Sequence, residues 1–569
     1  MVETILLVAI NAKYIHSNLA VHSLKAYAAP FSENIEIAEF TINNRIEDIL
    51  DEIYVKKPDV LAFSCYIWNI DYVKKLMVEL HKLLPETDIW LGGPEVSYNT
   101  DYYFDNFQCV KGIMVGEGEE TFKELVQYYV LGNGDLTNIK GIALPEMRNV
   151  KPRECVDMSL IPFPYKDLSE FENRIIYYES SRGCPFSCSY CLSSIDKKLR
   201  FRDISLVKKE LKFFMDNKVS QVKFIDRTFN CDKKRALELW QFILENDNGI
   251  TNFHFEISAD LITDEQITVL NKMRPGLVQL EIGVQSTNEK TIEAIRRKMN
   301  LDRLKQVVAG IKSGKNIHLH LDLIAGLPYE DLNSFKKSFN DVYNMEPDEL
   351  QLGFLKVLHG SYMYDDAKEF GVVYKDFAPY EVLYTNWLSY DDVLLLKKVE
   401  EVLEIYYGSN QFRNTVNYLI KYFETPYDFY ESLGIFYDEI HNKNEKHARI
   451  ERYNLLLEFA RNIDGVSLSK LKEIMTLDIY LRENMKTRPA FAKDMSKYRD
   501  YLRELVIAGT IEKTQHIEAF SYEVASEYLA CEVEGNIGDE IFVTFDYDNR
   551  NPITFDSKVK VVGRLEKIC

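Results

Sequence analysis

Short apolar runs rich in β-branched residues alternate with amphipathic segments through the first 130 positions of the chain. The segment 72–84, for example, carries its apolar residues at helical spacing. Strands and helices in regular alternation predict a parallel, doubly wound sheet of the Rossmann-like kind. The predicted strands cover residues 5–11, 35–40, 60–65, 89–93 and 110–115.

The alternation resumes after a connector with the sequence Ile161-Pro-Phe-Pro-Tyr165, which neither a helix nor a central strand can accommodate. Six strand-helix repeats follow, and they predict a partial (β/α)6 barrel of the TIM type. In such barrels the chemistry takes place at the carboxyl ends of the strands. The predicted strands cover residues 175–179, 221–225, 253–257, 277–282, 317–324 and 351–357.

Beyond residue 366 the pattern changes to amphipathic helices crowded with aromatic residues. Strand-like segments return at 541–545 and 558–562, where they predict a small antiparallel unit. The predicted fold class is therefore α/β, with a mainly helical C-terminal domain that includes a small terminal β unit. The predicted division is 1–145 for the Rossmann-like domain, 146–173 for a linker, 174–365 for the barrel and 366–569 for the C-terminal domain.

Composition and charge restrict the classes of protein that fit this fold. With 46% apolar and 28% charged residues, the chain of 569 residues is typical of a globular, soluble protein of several domains. A net charge of −20 repels nucleic-acid phosphates and argues against general nucleic-acid binding. No apolar run approaches the roughly 20 residues that cross a membrane, and the N-terminus lacks the features of a secretion signal. We therefore expect a cytoplasmic protein without a membrane span.

Three of the nine cysteines form the pattern Cys184-x3-Cys188-x2-Cys191. Three thiolates at this spacing on one loop can bind three corners of a 4Fe-4S cluster and leave the fourth iron open. A zinc site would need a fourth ligand, usually from a second pair, and no such pair follows. Structural buried thiols would not be expected in a Gly-Cys-Pro-Phe turn. The remaining cysteines are predicted to be free thiols, namely Cys65, Cys109, Cys155, Cys231, Cys531 and Cys569.

This triad, with the aromatic Tyr190 directly before its third cysteine, resembles the signature of radical S-adenosylmethionine enzymes. The resemblance implies that the open iron binds the amino and carboxylate groups of S-adenosylmethionine. It also implies that an external low-potential electron donor reduces the cluster, which then cleaves the sulfonium to methionine and a 5'-deoxyadenosyl radical. The cysteine loop directly follows the first predicted barrel strand, at the end where a barrel carries its chemistry.

The other predicted strand ends carry candidate contacts for S-adenosylmethionine. Asp226 and Thr228 follow the second strand, where the family contacts the amino group of the cofactor, although the family's usual Gly-Gly-Glu string is absent. Glu256 and Ser258 share one face of the third strand and offer hydrogen bonds to ribose hydroxyls or to the sulfonium side. Strings at the fourth and fifth strands resemble the family's Gly-Ile-Gln-Ser and adenine-contacting segments. Each string is also compatible with ordinary loop chemistry. The predicted set is Tyr190, Asp226, Thr228, Glu256, Ser258, Gln285 and Gly326.

Four of the five loops after the N-terminal strands are polar or glycine-rich, which lets a bulky ligand approach the backbone. With the triad nearby, the strings Gly92-Gly-Pro94 and Gly116-Glu-Gly-Glu119 resemble the cobalamin-binding domain that many members of the family carry. A doubly wound domain that has lost its ligand is the alternative. The resemblance implies a cobalamin site formed by Tyr14, His16, Ser17, Asn18, Ser64, Tyr66, Gly92, Gly93, Pro94, Glu95, Gly116, Glu117, Gly118 and Glu119.

His16 occupies the place where cobalamin mutases and methionine synthase carry the cobalt-binding histidine of an Asp-x-His-x-x-Gly motif. The carboxylate of that motif is missing here, so the sequence offers no partner that would orient the imidazole. His16 is therefore either a cobalt ligand or a histidine at a helix start that contacts polar neighbours.

Together these features predict a cobalamin-dependent radical S-adenosylmethionine enzyme that uses a 4Fe-4S cluster, S-adenosylmethionine and cobalamin. Its predicted reaction is methylation of an unactivated carbon in an unknown small-molecule or peptide substrate. One alternative keeps the radical chemistry but uses cobalamin for electron transfer during rearrangement, cyclisation or ring contraction. An alternative from another class is a non-enzymatic cobalamin or redox sensor.

Overall fold

The computed structural model describes residues 4–148, 150–151, 153–440, 448–512, 515–529 and 531–566. Cys569, predicted to be a free thiol, lies outside these residues. The other five cysteines predicted to be free thiols are free in the structure. Among the helices of the described residues, none combines the length and apolar character that a membrane crossing requires.

The first domain is a doubly wound sheet with the strand order β2-β1-β3-β4-β5-β6. Strands β1 to β5 are parallel, and the short β6, which the sequence pattern did not predict, pairs antiparallel with β5. The strands are β1 Ile5–Asn11, β2 Ile35–Thr41, β3 Val60–Ser64, β4 Asp88–Gly92, β5 Val110–Met114 and β6 Ile142–Ala143. The helices are α1 Leu19–Tyr27, α2 Ile46–Lys56, α3 Ile70–Leu83, α4 Pro94–Ser97, α5 Thr100–Asn106 and α6 Glu119–Leu131.

Strand β1 shows why this sheet is covered on both faces. Its alternate side chains enter two separate cores, with Leu6, Val8 and Ile10 in one and their neighbours in the other. All seven residues of the strand are buried, as expected for the centre of a parallel sheet with helices on both sides. The strand order reverses between β1 and β3, so the crevice for a ligand lies beyond the carboxyl ends of these two strands.

The second domain has a six-stranded parallel sheet in the order β14-β13-β12-β11-β10-β7, as expected for a partial (β/α)6 barrel. Its predicted strands agree with the observed ones to within three residues at each end. The strands are β7 Ile176–Tyr178, β8 Ser181–Arg182, β9 Arg200–Phe201, β10 Gln221–Phe224, β11 Asn252–Ile257, β12 Val278–Gln285, β13 His318–Ala325 and β14 Glu349–Phe354. The helices are α7 Ile204–Asp216, α8 Lys233–Glu245, α9 Asp264–Leu270, α10 Glu289–Ala294, α11 Leu301–Lys312, α12 Leu332–Tyr343 and α13 Tyr362–Asp366.

The C-terminal region is mainly helical and ends in the antiparallel sheet β17-β18-β19, of which β17 was not predicted. Its helices are α14 Tyr390–Leu403, α15 Arg413–Ile420, α16 Pro426–Ile440, α17 Arg449–Ala460, α18 Leu468–Arg482, α19 Arg499–Ile507 and α20 Tyr522–Tyr528, with a π-helical turn at Glu404–Gly408. Its strands are β15 Val373–Tyr374, β16 Val382–Tyr384, β17 Ile517–Ser521, β18 Glu540–Arg550 and β19 Ser557–Leu565.

Short 3₁₀ turns occur in all three regions of the chain. They lie at Ala29–Asn34, Leu136–Asn138, Met158–Leu160, Ser169–Phe171, Leu192–Ser194, Phe229–Cys231, Ala259–Leu261 and Met495–Tyr498.

The two edges of the barrel sheet are covered by the neighbouring domains. At the β7 edge the loop after β1 adds a parallel bridge between His16 and Ile175, and the Ile175 amide donates to the Ile15 carbonyl at 2.7 Å. At the β14 edge α14 packs against the strand, with the Lys397 ammonium 4.4 Å from the centre of the Phe354 ring. The partial barrel is thereby enclosed by other parts of the same chain, which protects the polar edge groups of the strands.

Candidate cluster and cofactor site

The three cysteines of the triad line one cavity of about 190 Å³ at the carboxyl ends of the barrel strands. Cys184 and Cys188 are buried, and Cys191 is partly buried. Backbone hydrogen bonds hold their loop on both sides, from the Cys184 amide to the Asp196 carbonyl and from the Ser189 amide to the Ile295 carbonyl, both at 2.9 Å. The loop is therefore fixed by the fold rather than by a bound group alone.

The chemistry of the triad fits an iron-sulfur cluster with one open iron. Burial raises the pKa of the Cys184 thiol, and the nearby Cys191 and Cys188 raise it further, so the three thiols are close enough to interact. No fourth cysteine occurs among the residues that line this cavity. Cys231 is near enough to interact electrostatically with Cys184, but it lies outside the lining. Thiols that are this close together and largely withdrawn from water are stabilised as thiolates when they bind a metal.

Five of the seven residues predicted to bind S-adenosylmethionine line the same cavity. They are Tyr190, Thr228, Glu256, Ser258 and Gln285. Their strands end side by side, so residues far apart in the chain meet around one space. The unpartnered, buried Oε1 atom of Gln285 is an acceptor without a donor among the described residues, as expected where a ligand supplies one.

The structure does not bring the other two, Asp226 and Gly326, to the cavity wall. Asp226 is buried and accepts hydrogen bonds from the Ser180 amide at 2.7 Å and from the hydroxyls of Ser180 and Ser181, both at 2.6 Å. Gly326 lies against Val382 with a φ of +88°, and a Cβ atom there would stand 2.7 Å from a Val382 methyl group. These two residues support the strand ends instead of facing the open space.

Several charged residues of the cavity were not predicted from the sequence. They are Arg227, Glu281, Arg297, Lys298 and Asp322. Glu281 lies two positions before Gly283 and four before Gln285, so the alternation of β12 places all three on the inner side. Alternation of this kind could have identified Glu281 on β12 and Asp322 on β13. Arg297 follows helix α10, where no strand pattern indicates which way a side chain points.

The inner wall of the barrel below the cavity is charged and hydrogen-bonded. Glu281 accepts from the Lys223 ammonium at 3.0 Å and from the His254 imidazole at 2.9 Å. Burial opposes the charged carboxylate, but these two partners outweigh it and lower the pKa of Glu281 to about 2. Burial, reinforced by the charge of Glu281, raises the pKa of Glu256 to about 7. Of the three carboxylates in the lining, Glu281 is thus held in its charged form, whereas burial raises the pKa of both Glu256 and Asp322.

The loops after β3 and β4 form a close-packed corner at the carboxyl edge of the first domain. Gly93 has a φ of +117°, and a Cβ atom there would stand 2.4 Å from the Cys65 carbonyl oxygen. The Cys65 amide donates to the Gly92 carbonyl at 2.7 Å. Trp68, which the sequence analysis did not select, stacks on Tyr66 at 4.3 Å and remains 42% exposed. The edge thus offers a flat aromatic surface beside two loops that only a glycine at position 93 allows to pack this closely.

The loop after β1 attaches the first domain to the barrel. His16 is partly buried, and its Nδ1 atom hydrogen-bonds with the Tyr177 hydroxyl of β7. The Ser17 hydroxyl donates to the Ile175 carbonyl at 2.9 Å, whereas Tyr14 is 70% exposed. Burial, together with the charges of Lys13 and Lys223, lowers the pKa of His16. The imidazole therefore has the orienting partner that the sequence did not reveal, and this partner comes from the other domain.

Asn18 begins helix α1 and supports the loop from within the first domain. Its side chain accepts from the Val21 amide at 3.3 Å, and its own amide donates to the Glu39 carboxylate at 3.1 Å. Ser64, at the end of β3, accepts from the Asn69 side chain through its carbonyl at 2.8 Å. These polar groups are hydrogen-bonded within the protein, so they shape the loops at the carboxyl edge.

The carboxylates of the predicted cobalamin loops are all paired with other domains. Glu119 forms an ion pair with Arg182, and Glu117 pairs with Arg200 at 2.6 Å. Glu95 accepts from the Tyr380 hydroxyl, in the C-terminal region. Gly116 has a φ of +83°, Gly118 caps α6, and Pro94 opens α4. These loops therefore join the first domain to the cysteine loop and to the C-terminal region.

A doubly wound domain beside a partial barrel, with three cysteines around a cavity at the strand ends, defines the class of radical S-adenosylmethionine proteins that carry a cobalamin-type domain. Family models agree with this class. Residues 5–126 match the B12 binding domain, residues 178–342 match the Radical SAM superfamily, and residues 368–537 match a protein of unknown function, DUF4080. The matches therefore divide the chain into a domain of the B12-binding type, a domain of the Radical SAM type and an additional domain of the DUF4080 type.

Three curated relatives are 19% to 26% identical to this chain over the aligned parts of the sequences. The cobalamin-dependent radical SAM methyltransferase TokK of Streptomyces tokunonensis is 25% identical over 315 residues, which are 51% of this chain and 45% of the relative. An uncharacterized methyltransferase of Pyrococcus horikoshii, PH0819, is 26% identical over 54% of this chain and 67% of its own length. The anaerobic magnesium-protoporphyrin IX monomethyl ester cyclase of Rubrivivax gelatinosus is 19% identical over 56% of this chain and 60% of its own. The chain thus spans less than half of the length of TokK.

Solved structures share the fold over most of the chain. The cobalamin-dependent S-adenosylmethionine radical enzyme OxsB, with aqua-cobalamin and S-adenosylmethionine bound, has a TM-score of 0.57 and 15% identity, covering 90% of this chain and 82% of its own. The radical S-adenosylmethionine methyltransferase TsrM of Kitasatospora setae, with cobalamin and a [4Fe-4S] cluster bound, has a TM-score of 0.55 and 15% identity, covering 67% and 76%. At this level of identity the likeness concerns the fold.

Proposed function

We propose that this protein is a cobalamin-dependent radical S-adenosylmethionine enzyme that methylates an unactivated carbon of a small-molecule or peptide substrate. The observation that carries the proposal is the meeting of Cys184, Cys188 and Cys191 around one cavity that is also lined by polar strand-end residues. A redox sensor would need the cluster but not the additional hydrogen-bonding groups for a second ligand. The combination therefore favours an enzyme.

The three cysteines would hold the 4Fe-4S cluster, and the cavity beside them would hold S-adenosylmethionine. When bound, these groups supply the one-electron cleavage that generates a carbon radical. Arg227, Arg297 and Lys298 bring positive charge to the cavity, which suits a carboxylate. Glu256 and Asp322 offer acceptors for hydroxyl or amino groups. We propose that the five predicted residues that line this cavity also bind this cofactor. Asp226 and Gly326 would instead hold the strand ends in place without contacting the cofactor.

Cobalamin would lie between the carboxyl edge of the first domain and the open side of the barrel. Gly93 supports this position, because its lack of a side chain lets two loops meet at the edge. His16 fits as well, because its Nδ1 atom is occupied by Tyr177 and its lowered pKa favours the neutral imidazole. The paired carboxylates of Glu95, Glu117 and Glu119 would contribute by positioning the loops. The residues 1–145, 174–365 and 366–569 would then form three functional domains, with a linker at 146–173.

Anaerobic reconstitution with iron, sulfide and hydroxocobalamin tests the proposal. The reduced protein is expected to convert S-adenosylmethionine to 5'-deoxyadenosine, because the three-cysteine site leaves one iron open. Incubation with methyl-deuterated S-adenosylmethionine and fractionated small molecules or peptides should then give a product heavier by one labelled methyl group. Binding of iron and cobalamin without any 5'-deoxyadenosine would contradict the proposal and favour a sensor.

Ring closure or rearrangement is the second candidate, and the similarity to the anaerobic cyclase of Rubrivivax gelatinosus favours it. The same labelled incubation separates the two reactions. A product that forms together with 5'-deoxyadenosine but carries no labelled methyl group would support this candidate. An external low-potential electron donor is part of the proposal in both cases.

Replacing Gly93 with alanine should weaken cobalamin binding. The new Cβ atom would stand 2.4 Å from the Cys65 carbonyl, so the loops after β3 and β4 would have to separate. We expect a lower cobalamin affinity, measured by absorbance titration, together with a loss of folding stability of about 1–3 kcal/mol from the crowding. Gly132→Ala is the control, since Gly132 has a φ of +62° but open space around its Cβ position. Equal behaviour of the two variants would contradict the proposed contact region.

A further inference from the structure

Arg297 places a guanidinium directly beside one sulfur of the cysteine triad. Its Nη1 atom donates to the Cys188 sulfur at 3.6 Å and to the Tyr190 hydroxyl at 3.3 Å. Its Nη2 atom donates to the Gly283 carbonyl. Three partners from two different parts of the barrel therefore orient the planar guanidinium through two of its nitrogens. The ammonium of a lysine has one nitrogen and lacks this planar fork.

The backbone on both sides of this contact is also fixed. β12 has an irregular register between Gly283 and Gln285, and Gln285 adopts a φ of +73°, which turns this part of the strand towards the cavity. At the end of α10 the Ile295 carbonyl accepts from the Ser189 amide, in the cysteine loop, at 2.9 Å. The arginine and the cysteine it contacts are thus carried by two segments that are hydrogen-bonded to each other.

Hydrogen bonds to the sulfurs of an iron-sulfur cluster, and positive charge near it, stabilise the reduced form because that form carries one more negative charge. A guanidinium always bears its charge at physiological pH. Its effect on a cluster a few ångströms away is large when both groups are partly shielded from water. The Nε atom of Arg297 is buried without a hydrogen-bond partner among the described residues. Asp260 interacts with the guanidinium electrostatically, whereas the hydrogen bonds of the guanidinium go to Cys188, Tyr190 and Gly283.

We infer that Arg297 is a positioning residue that raises the reduction potential of a cluster bound by the triad, acting through the Cys188 sulfur. The inference rests on the proposed function, because it requires a cluster at these cysteines. It goes beyond a contact between Arg297 and the carboxylate of S-adenosylmethionine, since it predicts an effect in the absence of S-adenosylmethionine. One electron passes from a low-potential reductant to the cluster, and Arg297 changes only the equilibrium of that step.

The test is a reductive titration of the reconstituted protein without S-adenosylmethionine, followed by electron paramagnetic resonance of the reduced cluster. Arg297→Gln should lower the potential. At the poise that reduces half of the wild-type cluster, we expect the ratio of reduced to oxidised cluster to fall by roughly tenfold or more. Arg297→Lys keeps the charge but loses the fork, and it should give a smaller decrease. Iron and sulfide analysis shows whether each variant carries the same cluster.

Arg296→Gln is the matched control, because Arg296 is the adjacent residue but pairs with Asp366 at 2.6 Å on the surface. It should titrate like the wild type. An unchanged potential in Arg297→Gln at equal iron content would overturn the inference while leaving the proposed function intact. A decrease in Arg296→Gln as large as that in Arg297→Gln would do the same. If Arg297→Gln binds no cluster, the potential of Arg297→Lys is the deciding measurement. A wild-type potential in Arg297→Lys would then overturn the inference. A wild-type protein that takes up no cluster would instead overturn the proposed function.

Discussion

Replacing any one cysteine of the triad with alanine should abolish the formation of 5'-deoxyadenosine from S-adenosylmethionine. Cys184, Cys188 and Cys191 are the cysteines among the residues that line the cavity, so no other thiol of the lining can take over the lost position. Two remaining thiolates leave a cluster without the anchoring that the reaction needs. The measurement is 5'-deoxyadenosine by chromatography after anaerobic reconstitution and reduction, together with bound iron per chain.

Cys231→Ala is the control for this prediction. Cys231 interacts electrostatically with Cys184 and is partly buried, but it lies outside the cavity lining. The variant should retain its iron and form 5'-deoxyadenosine at the wild-type rate. Loss of the cluster in this variant would show a fourth protein ligand, and activity retained after loss of a triad cysteine would show that the cluster lies elsewhere. Either result would remove the basis for an open iron.

The sheets were predictable because buried parallel strands have a simple sequence pattern. In β1 every residue is apolar up to Asn11, and both faces are covered, so the run stands out without any knowledge of its neighbours. The same argument placed the cysteine loop at the end of β7, since a strand followed by a helix fixes where its loop lies. The two-residue strand β6 escaped prediction because so short a run carries little periodic signal.

The partners of individual side chains were less predictable than the strands. Glu95 follows β4 as a loop carboxylate should, but its hydrogen bond goes to Tyr380, which lies 285 positions later. Asp226 lies two positions after the end of β10, yet it supports Ser180 and Ser181 at the neighbouring strand end. Sequence spacing identifies which end of a sheet a residue occupies. Whether it faces a ligand or another domain depends on how the domains pack.

A few partly buried ion pairs link the domains to one another. Arg182 precedes the cysteine loop by two residues and pairs with Glu179 at 2.8 Å, and it also pairs with Glu119 of the first domain. Burial opposes the charge of Arg182, but these carboxylates outweigh it and raise its pKa. The segment that carries the cluster cysteines is therefore attached to the edge where cobalamin is proposed to bind. The distance between two reactive groups can be set in this way without any direct contact between them.

Glu39→Ala should cause a large loss of stability in the first domain. The Glu39 side chain is 9% exposed, and it accepts from the Asn11 side chain at 2.7 Å and the His22 imidazole at 2.7 Å. It also lies 3.4 Å from the Arg174 guanidinium, at the start of the barrel. Removing the carboxylate leaves the buried His22 imidazole without this partner and the Asn11 amide with only the His16 carbonyl, and breaking a buried pair in this way costs about 3–5 kcal/mol. Urea unfolding, with hydrogen exchange in α1 and β2 as the local measurement, gives the change in free energy.

The pH dependence of this effect separates a charged contact from simple packing. Burial alone would raise the pKa of Glu39, but the hydrogen bond and charge of His22 and the donors around it leave that pKa below its usual value. The stabilisation is therefore complete above the pKa of an unfolded glutamate, and it is lost as the pH falls through the lower folded value. Glu36→Ala, on the same strand, removes an exposed partner of Lys56 and should cost less than about 1 kcal/mol at any pH. If Glu39→Ala lost the same free energy at acidic and at neutral pH, packing rather than the ion pairs would hold the first domain against the barrel.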